Sequence, residues 1–180
     1  MLETISDVGT DKAVDILTVK VDQLLESLCF IDWTGLEQPT ERGPHDVVTQ
    51  IVDYLNVALT SLLQLRRASV ESIHMALCNR LCKQILDFMS TNQVNQIGLL
   101  CWYRWDRSVR ALEAFADRCG VNQLRLCFIE LREYIAAILS PELLYYSAGS
   151  QQVVDAFPSV DPRKLAILMQ KTIEPESYVN

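Results

Sequence analysis

The stretch 98–119, GLLCWYRWDRSVRALEAFADRC, narrows the choice of fold more than any other part of the chain. Drawn as a helix of about 3.6 residues per turn, it gathers Cys101, Trp105, Val109, Leu112, Phe115, Ala116 and Cys119 on one side, with Trp102 at the edge. The other side holds Leu99, Tyr103, Asp106, Arg110 and Asp117, flanked by Arg107 and Glu113. The spacing predicts a helix that buries one stripe in a bundle and leaves a charged-aromatic stripe outside, with Gly120 as its C′ residue.

The same periodicity recurs along the chain. A first helix is expected from about 12 to 30, with Val14, Leu17, Val21, Leu24, Leu25 and Leu28 on one face. FIDWTGLEQPTERGPH then breaks the pattern and reads as a loop anchored by Trp33. Residues 46–66 give the clearest helix, started by His45 and Asp46, with Val47, Val48, Ile51, Leu55, Ala58, Leu59 and Leu62 as its stripe. Ser69 is placed as the cap of a helix from 70 to about 89, and STNQVNQ at 90–96 as a loop. Residues 121–139 predict a further helix. Ser140-Pro141 starts a short one in ELLYYSA, and GSQQVVDAFPSV is read as a loop. Asp161-Pro162 opens the last helix, to about 173. No strand alternation persists. The expected class is all-α, an elongated helical bundle of about five long and two short helices in one domain over 1–180, with a flexible amino terminus at 1–12.

Charge narrows the partners. Residues 1–60 carry eleven acids and three bases (−8), 61–140 ten bases and seven acids (+3), and 141–180 five acids and three bases (−2). Phosphate backbones and anionic lipid are poor ligands for such a surface, so no nucleic-acid partner is expected. No run of about 18 apolar residues exists to span a bilayer, and the acidic start MLETISDVGTDKAV lacks an export signal pattern. The six cysteines therefore read as reduced, buried small hydrophobes.

Catalytic constellations are thin. His74, Cys78 and Cys82 look like a metal stripe, but positions eight apart on a helix lie about 12 Å apart, too far to share one ion. His74 reads as a core histidine, and His45 as a loop residue with no partner suggested, so a Cys-His nucleophile pair has no support. No two glycines make a phosphate-binding loop, and the carboxylates read as solvated helix faces. No catalytic, cofactor-binding or metal-binding residue is expected. The exposed strip of the 98–119 helix admits two readings. One is a solvated face with pairs such as Asp106–Arg110; the other is a partner-binding face, since exposed Leu, Tyr and Arg together have the composition of an interface anchor.

The order of segments carries a resemblance. KVDQLLESLCFIDW, QIVDYLNVALTSLLQL, MALCNRLCKQILDFM, QIGLLCWYRWDRSVRALEAFAD, LRLCFIELREYIAAILSPELLYY and SVDPRKLAILMQKTIE follow one another over about 18–174. The series resembles the carboxy-terminal domain of exocyst complex component six, the family of the fifteenth yeast secretory-mutant product. Its most specific parts are Asp32-Trp33, LRLCFIELREYIAAIL and Val160-Asp161-Pro162 leading into Leu165. Family members are several times longer and carry helical rods before this domain, and the basic tail that often follows it is missing here.

The resemblance implies a helical-rod tethering fold and vesicle tethering before exocytosis. It also implies cytoplasmic residence with recruitment to secretory vesicles and plasma-membrane sites, other exocyst subunits as partners, and binding of a GTP-loaded Rab-family GTPase. Rab binding in the family maps to the region of the 98–119 helix, so Leu99, Tyr103, Asp106, Arg107 and Arg110 are the expected contact residues. A polar residue such as Asn stands in the family where this chain has Asp106. The alternative is a nucleotide-independent scaffold module that contacts another tethering subunit or an adaptor.

Overall fold

A computed structural model describes residues 2–35, 43–60, 67–121, 123–140 and 150–173. Among them seven α-helices form an all-α bundle: α1 (Leu2–Leu25), α2 (Asp46–Thr60), α3 (Arg67–Ser90), α4 (Leu99–Arg118), α5 (Ile129–Leu139), α6 (Gln151–Ala156) and α7 (Pro162–Lys171). Two 3-10 turns, Glu26–Phe30 and Leu124–Phe128, extend α1 and precede α5. Two short strands, β1 (Ile97–Gly98) and β2 (Thr172–Ile173), pair in parallel. Buried apolar side chains from all seven helices join one contiguous cluster, with Val70 of α3 buried outside it.

α3 runs through the middle. Val70, Ile73, Leu77, Cys78, Leu81, Cys82, Ile85, Leu86 and Met89 are all buried, a stripe too wide for one neighbour. α1 packs on one flank of it, and the 124–128 turn, α5 and α7 on the other. α4 lies between α2 and α5 and buries Trp102, Trp105, Leu112 and Phe115 completely. Such burial of large side chains is the dominant favourable term in holding the bundle together.

Local signals explain most boundaries. The His45 carbonyl accepts the N–H groups of Val48 and Thr49, and Asp46 places an acid in the first turn of α2. Asp161 Oδ1 accepts the Arg163 N–H at 2.9 Å with Pro162 at the first helical position. Gly120, at φ +63°, turns the chain out of α4 in the left-handed conformation that glycine adopts without penalty.

Other boundaries depart from expectation. α1 begins at Leu2, not near 12, because the segment before Lys12 holds no proline to stop a helix and Leu2, Ile5 and Val8 keep a helical spacing. The described part of α3 starts at Arg67, so Ser69 already lies inside the helix and is not its cap. The helix expected over 121–139 is divided. Gln123 sits at φ +66°, and only a tight 3-10 turn fits between it and α5 as the chain reverses after α4. α6 occupies the expected loop after Ser150, whose carbonyl accepts the N–H groups of Val153 and Val154; six residues are too few to show a period. The final helix stops at Lys171, where the chain becomes β2. The end of the 46–66 helix beyond Thr60, and the short helix expected at ELLYYSA, lie outside the described residues.

Candidate partner-binding face

α4 presents the expected strip. Leu99 and Asp106 are half-buried, Tyr103 is 45% exposed, and Arg107 and Arg110 are exposed. Asp106 accepts a 2.9 Å hydrogen bond from Arg110 Nε, the i,i+4 pair anticipated above. Leu100 joins this strip and was not anticipated. It is 46% exposed, and Leu100, Tyr103, Arg107 and Arg110 recur at helical spacing along one line. The expected strip included Leu99 and left Leu100 unassigned; the chain at Gly35 comes alongside Leu100 without covering it.

Behind the strip the helix is locked. Trp102, expected at the edge of the core, is fully buried, and its Nε1 donates to Thr172 Oγ1 at 3.0 Å. The burial depends on β2, a partner about seventy residues further along that no local pattern reveals. Trp105 stacks on Trp33 with ring centroids 5.9 Å apart and planes 18° apart, and Trp33 stacks in turn on Phe88 of α3 at 5.9 Å. Trp33 Nε1 donates to the Leu28 carbonyl at 3.1 Å, so the loop after α1 is anchored by this ring as expected.

His45 has the partner that its sequence context did not suggest. Its ring lies 4.7 Å from that of Trp105, and Nε2 is 3.7 Å from Cys101 Sγ. Its backbone N–H donates to Ser108 Oγ at 2.9 Å, and that hydroxyl donates to the Arg104 carbonyl. Burial, with the nearby Arg104 charge, pulls the His45 pKa down to about 3, and burial pushes the Cys101 thiol up to about 12. Both groups are therefore neutral near pH 7. A thiol held so far from ionisation is not an activated nucleophile, and the pair is a packing contact.

Glu113 also departs from its expected place. Read from the wheel as flanking the exposed side, it is 4% exposed and bridges two arginines, Arg132 at 2.6 Å and Arg125 at 3.5 Å. Arg125 also reaches Asp117 at 3.5 Å. The carboxylate clamps α4 to the 124–128 turn and to α5, and it is not available to a partner.

The cysteines behave as small hydrophobes with one exception. All six are free; Cys78, Cys82, Cys101 and Cys127 are buried, Cys119 half-buried and Cys29 exposed. Burial raises the thiol pKa of Cys78 and Cys82 well above the ordinary value. His74 Nδ1 donates to the Val70 carbonyl at 2.6 Å in the tautomer that protonates this nitrogen, as a core histidine does. Among the described residues no group of three His, Cys, Asp or Glu could hold a metal ion. A cavity of about 200 Å³ between the end of α2, the start of α3 and the end of α4 is lined mainly by Leu55, Leu59, Val70, His74 and Phe115.

A second apolar feature lies elsewhere. Ile16 and Val19 on α1 and Phe30 in the following 3-10 turn are exposed, Phe30 by 86%. The helical spacing of Ile16 and Val19 hinted at this, but the stronger inward stripe of Leu17, Val21 and Leu25 masked it. No helix among the described residues is long and apolar enough to cross a membrane.

The family model described as "Exocyst complex subunit Sec15 C-terminal" matches residues 1–171. No curated protein and no solved structure matches the chain. The protein belongs to the family of the Sec15 carboxy-terminal domain of the exocyst, a tethering complex whose other subunits are its partners. The match takes in α1 from its first turn, extending the resemblance seen from residue 18 toward the amino terminus.

Proposed function

We propose that this exocyst domain is a non-catalytic effector module that binds a GTP-loaded Rab-family GTPase through the outer strip of α4. The observation that carries the proposal is the exposed line Leu100, Tyr103, Arg107 and Arg110, edged by Leu99 and Asp106, on a helix held rigid by buried Trp102 and Trp105. An aromatic, a leucine and arginines on a stiff support are the residues that anchor protein interfaces, and a preorganised surface loses little entropy on binding. The choice of a Rab as the partner comes from the family.

A GTPase of this kind orders two switch loops around the γ-phosphate and Mg²⁺ and releases them on hydrolysis. An effector performs no chemistry; it needs a fixed surface complementary to the ordered loops. Preference for the GTP state then equals the difference in interaction free energy between ordered and mobile loops. Binding in the cytoplasm to a vesicle-borne GTPase would bring the domain to secretory vesicles and to plasma-membrane sites of exocytosis.

The test is to measure binding of the purified protein to a panel of Rab proteins loaded with GTP analogue or GDP. The expected result is GTP-selective binding by at least one Rab, weakened about tenfold or more by Tyr103→Ala or Asp106→Ala in protein that still folds. Equal affinity for the two nucleotide states, or no loss in both variants, refutes the proposal.

The exposed Ile16, Val19 and Phe30 favour a second reading, a scaffold module that contacts another tethering subunit through α1. That reading predicts capture of a large helical protein irrespective of nucleotide, abolished by Phe30→Ser and untouched by Tyr103→Ala.

A further inference from the structure

Residues 65–70 read Leu-Arg-Arg-Ala-Ser-Val, with arginines three and two residues before Ser69 and an apolar residue after it. Guanidinium groups at those two places pair with carboxylates in an acidic substrate cleft, and the apolar side chain after the acceptor seats in an adjoining apolar pocket. The pattern is the recognition chemistry of kinases that select basic substrates.

The fold leaves the acceptor available. Ser69 lies near the amino-terminal end of α3, behind exposed Arg67 and Ala68, and is itself half-buried. Its hydroxyl makes no hydrogen bond with any described residue. The hydroxyls of Thr60, Ser90 and Ser108, by contrast, are each committed to a carbonyl four residues back in the same helix. The turn is held by the exposed Arg67–Glu71 pair at 2.9 Å and by the burial of Val70. An exposed pair of this kind adds little stability, and a terminal turn is the first part of a helix to open, as an extended kinase substrate must.

We propose that Ser69 is a phosphorylation site for an arginine-directed serine kinase. The Ser69 hydroxyl oxygen attacks the γ-phosphorus of ATP. The new O–P bond forms as the bond from the γ-phosphorus to the β–γ bridging oxygen breaks, ADP leaves with that electron pair, and the hydroxyl proton passes to the kinase's base. The product carries close to two negative charges near the amino-terminal end of α3, where the helix dipole favours an anion. The phosphate then competes with Glu71 for the Arg67 guanidinium. The modification strengthens the start of α3 and is independent of which partner α4 binds.

The experiment incubates the folded protein with ATP, Mg²⁺ and the catalytic subunit of the cyclic-AMP-dependent protein kinase, with an acid-directed kinase as control. The expected result is a single mass gain of about 80 Da, mapped to Ser69, from the first kinase only. Replacing both Arg66 and Arg67 by Ala is expected to slow the reaction about tenfold or more, and Ser69→Ala to abolish it, with unchanged helical circular dichroism. Phosphate on other residues, labelling that appears only after unfolding in urea, or a rate indifferent to both arginines overturns the proposal.

Discussion

The Arg132 guanidinium on α5 donates at 2.6 Å to the Glu113 carboxylate on α4, and the carboxylate is buried while the arginine keeps one side in water. A buried charge is tolerated only while its partners remain, because removing one strands the other away from solvent. Arg132→Met is therefore expected to destabilise the fold by about 2 kcal/mol, below the cost for a fully enclosed pair because this site is part-solvated. Glu113→Leu combined with Arg132→Met should recover much of that loss. Urea unfolding of the two variants checks both, and a double variant no more stable than the single would show that packing, not charge, sets the cost.

The neutral His45 makes stability depend on pH in a defined direction. Its folded-state pKa of about 3 lies below the ordinary 6.5, so the unfolded chain binds a proton that the folded one refuses. The contribution is full above pH 6.5 and is lost as pH falls toward 3. Between pH 7 and pH 5 the loss is about 2 kcal/mol from this group. Asp22, held below its usual range by its hydrogen bond with Arg80, adds to the loss only at lower pH. Urea midpoints at pH 7 and pH 5 test this, and His45→Phe should flatten the difference.

Where the signal was local, the sequence was sufficient. The inward face of α4, the Gly120 turn, the Asp161-Pro162 start and the Asp106–Arg110 pair all depend on neighbours within about one or two helical turns. What escaped depended on distant partners or on short elements. Trp102 is buried by β2, His45 meets Cys101 across 56 positions, and Glu113 finds its arginines only after the chain reverses. β1, β2 and α6 are too short to show a period, and the left-handed Gln123 that splits 121–139 carries no side-chain signature.

Gly98 is a position where one methyl group should be decisive. Its N–H donates to the Trp33 carbonyl at 2.8 Å while its other side pairs with β2, and an added Cβ would lie 1.9 Å from the Thr34 carbonyl oxygen. The obstacle is backbone, so Gly98→Ala must push the 31–35 segment off α4 and loosen the Trp33–Trp105 stack. The expected cost is about 3 kcal/mol, at the upper end for single substitutions. Gly43→Ala, which meets nothing within 4 Å, is the control and should be near neutral. Thermal unfolding with tryptophan fluorescence reads both the stability and the stack.

The strip on α4 and the tryptophans beneath it should separate cleanly in a mutational scan, and that separation decides whether the strip is a surface or part of the core. Leu100→Ala and Tyr103→Ala remove side chains that are nearly half exposed, so each should change stability by no more than about 1 kcal/mol. Trp105→Ala empties a site with no exposure between Trp33 and His45 and should cost about 4 kcal/mol. If urea unfolding gives that contrast, any loss of partner binding in the Leu100 and Tyr103 variants belongs to the interface itself. If Tyr103→Ala instead costs as much as Trp105→Ala, the tyrosine is holding the bundle together, and the α4 strip loses its standing as a docking face.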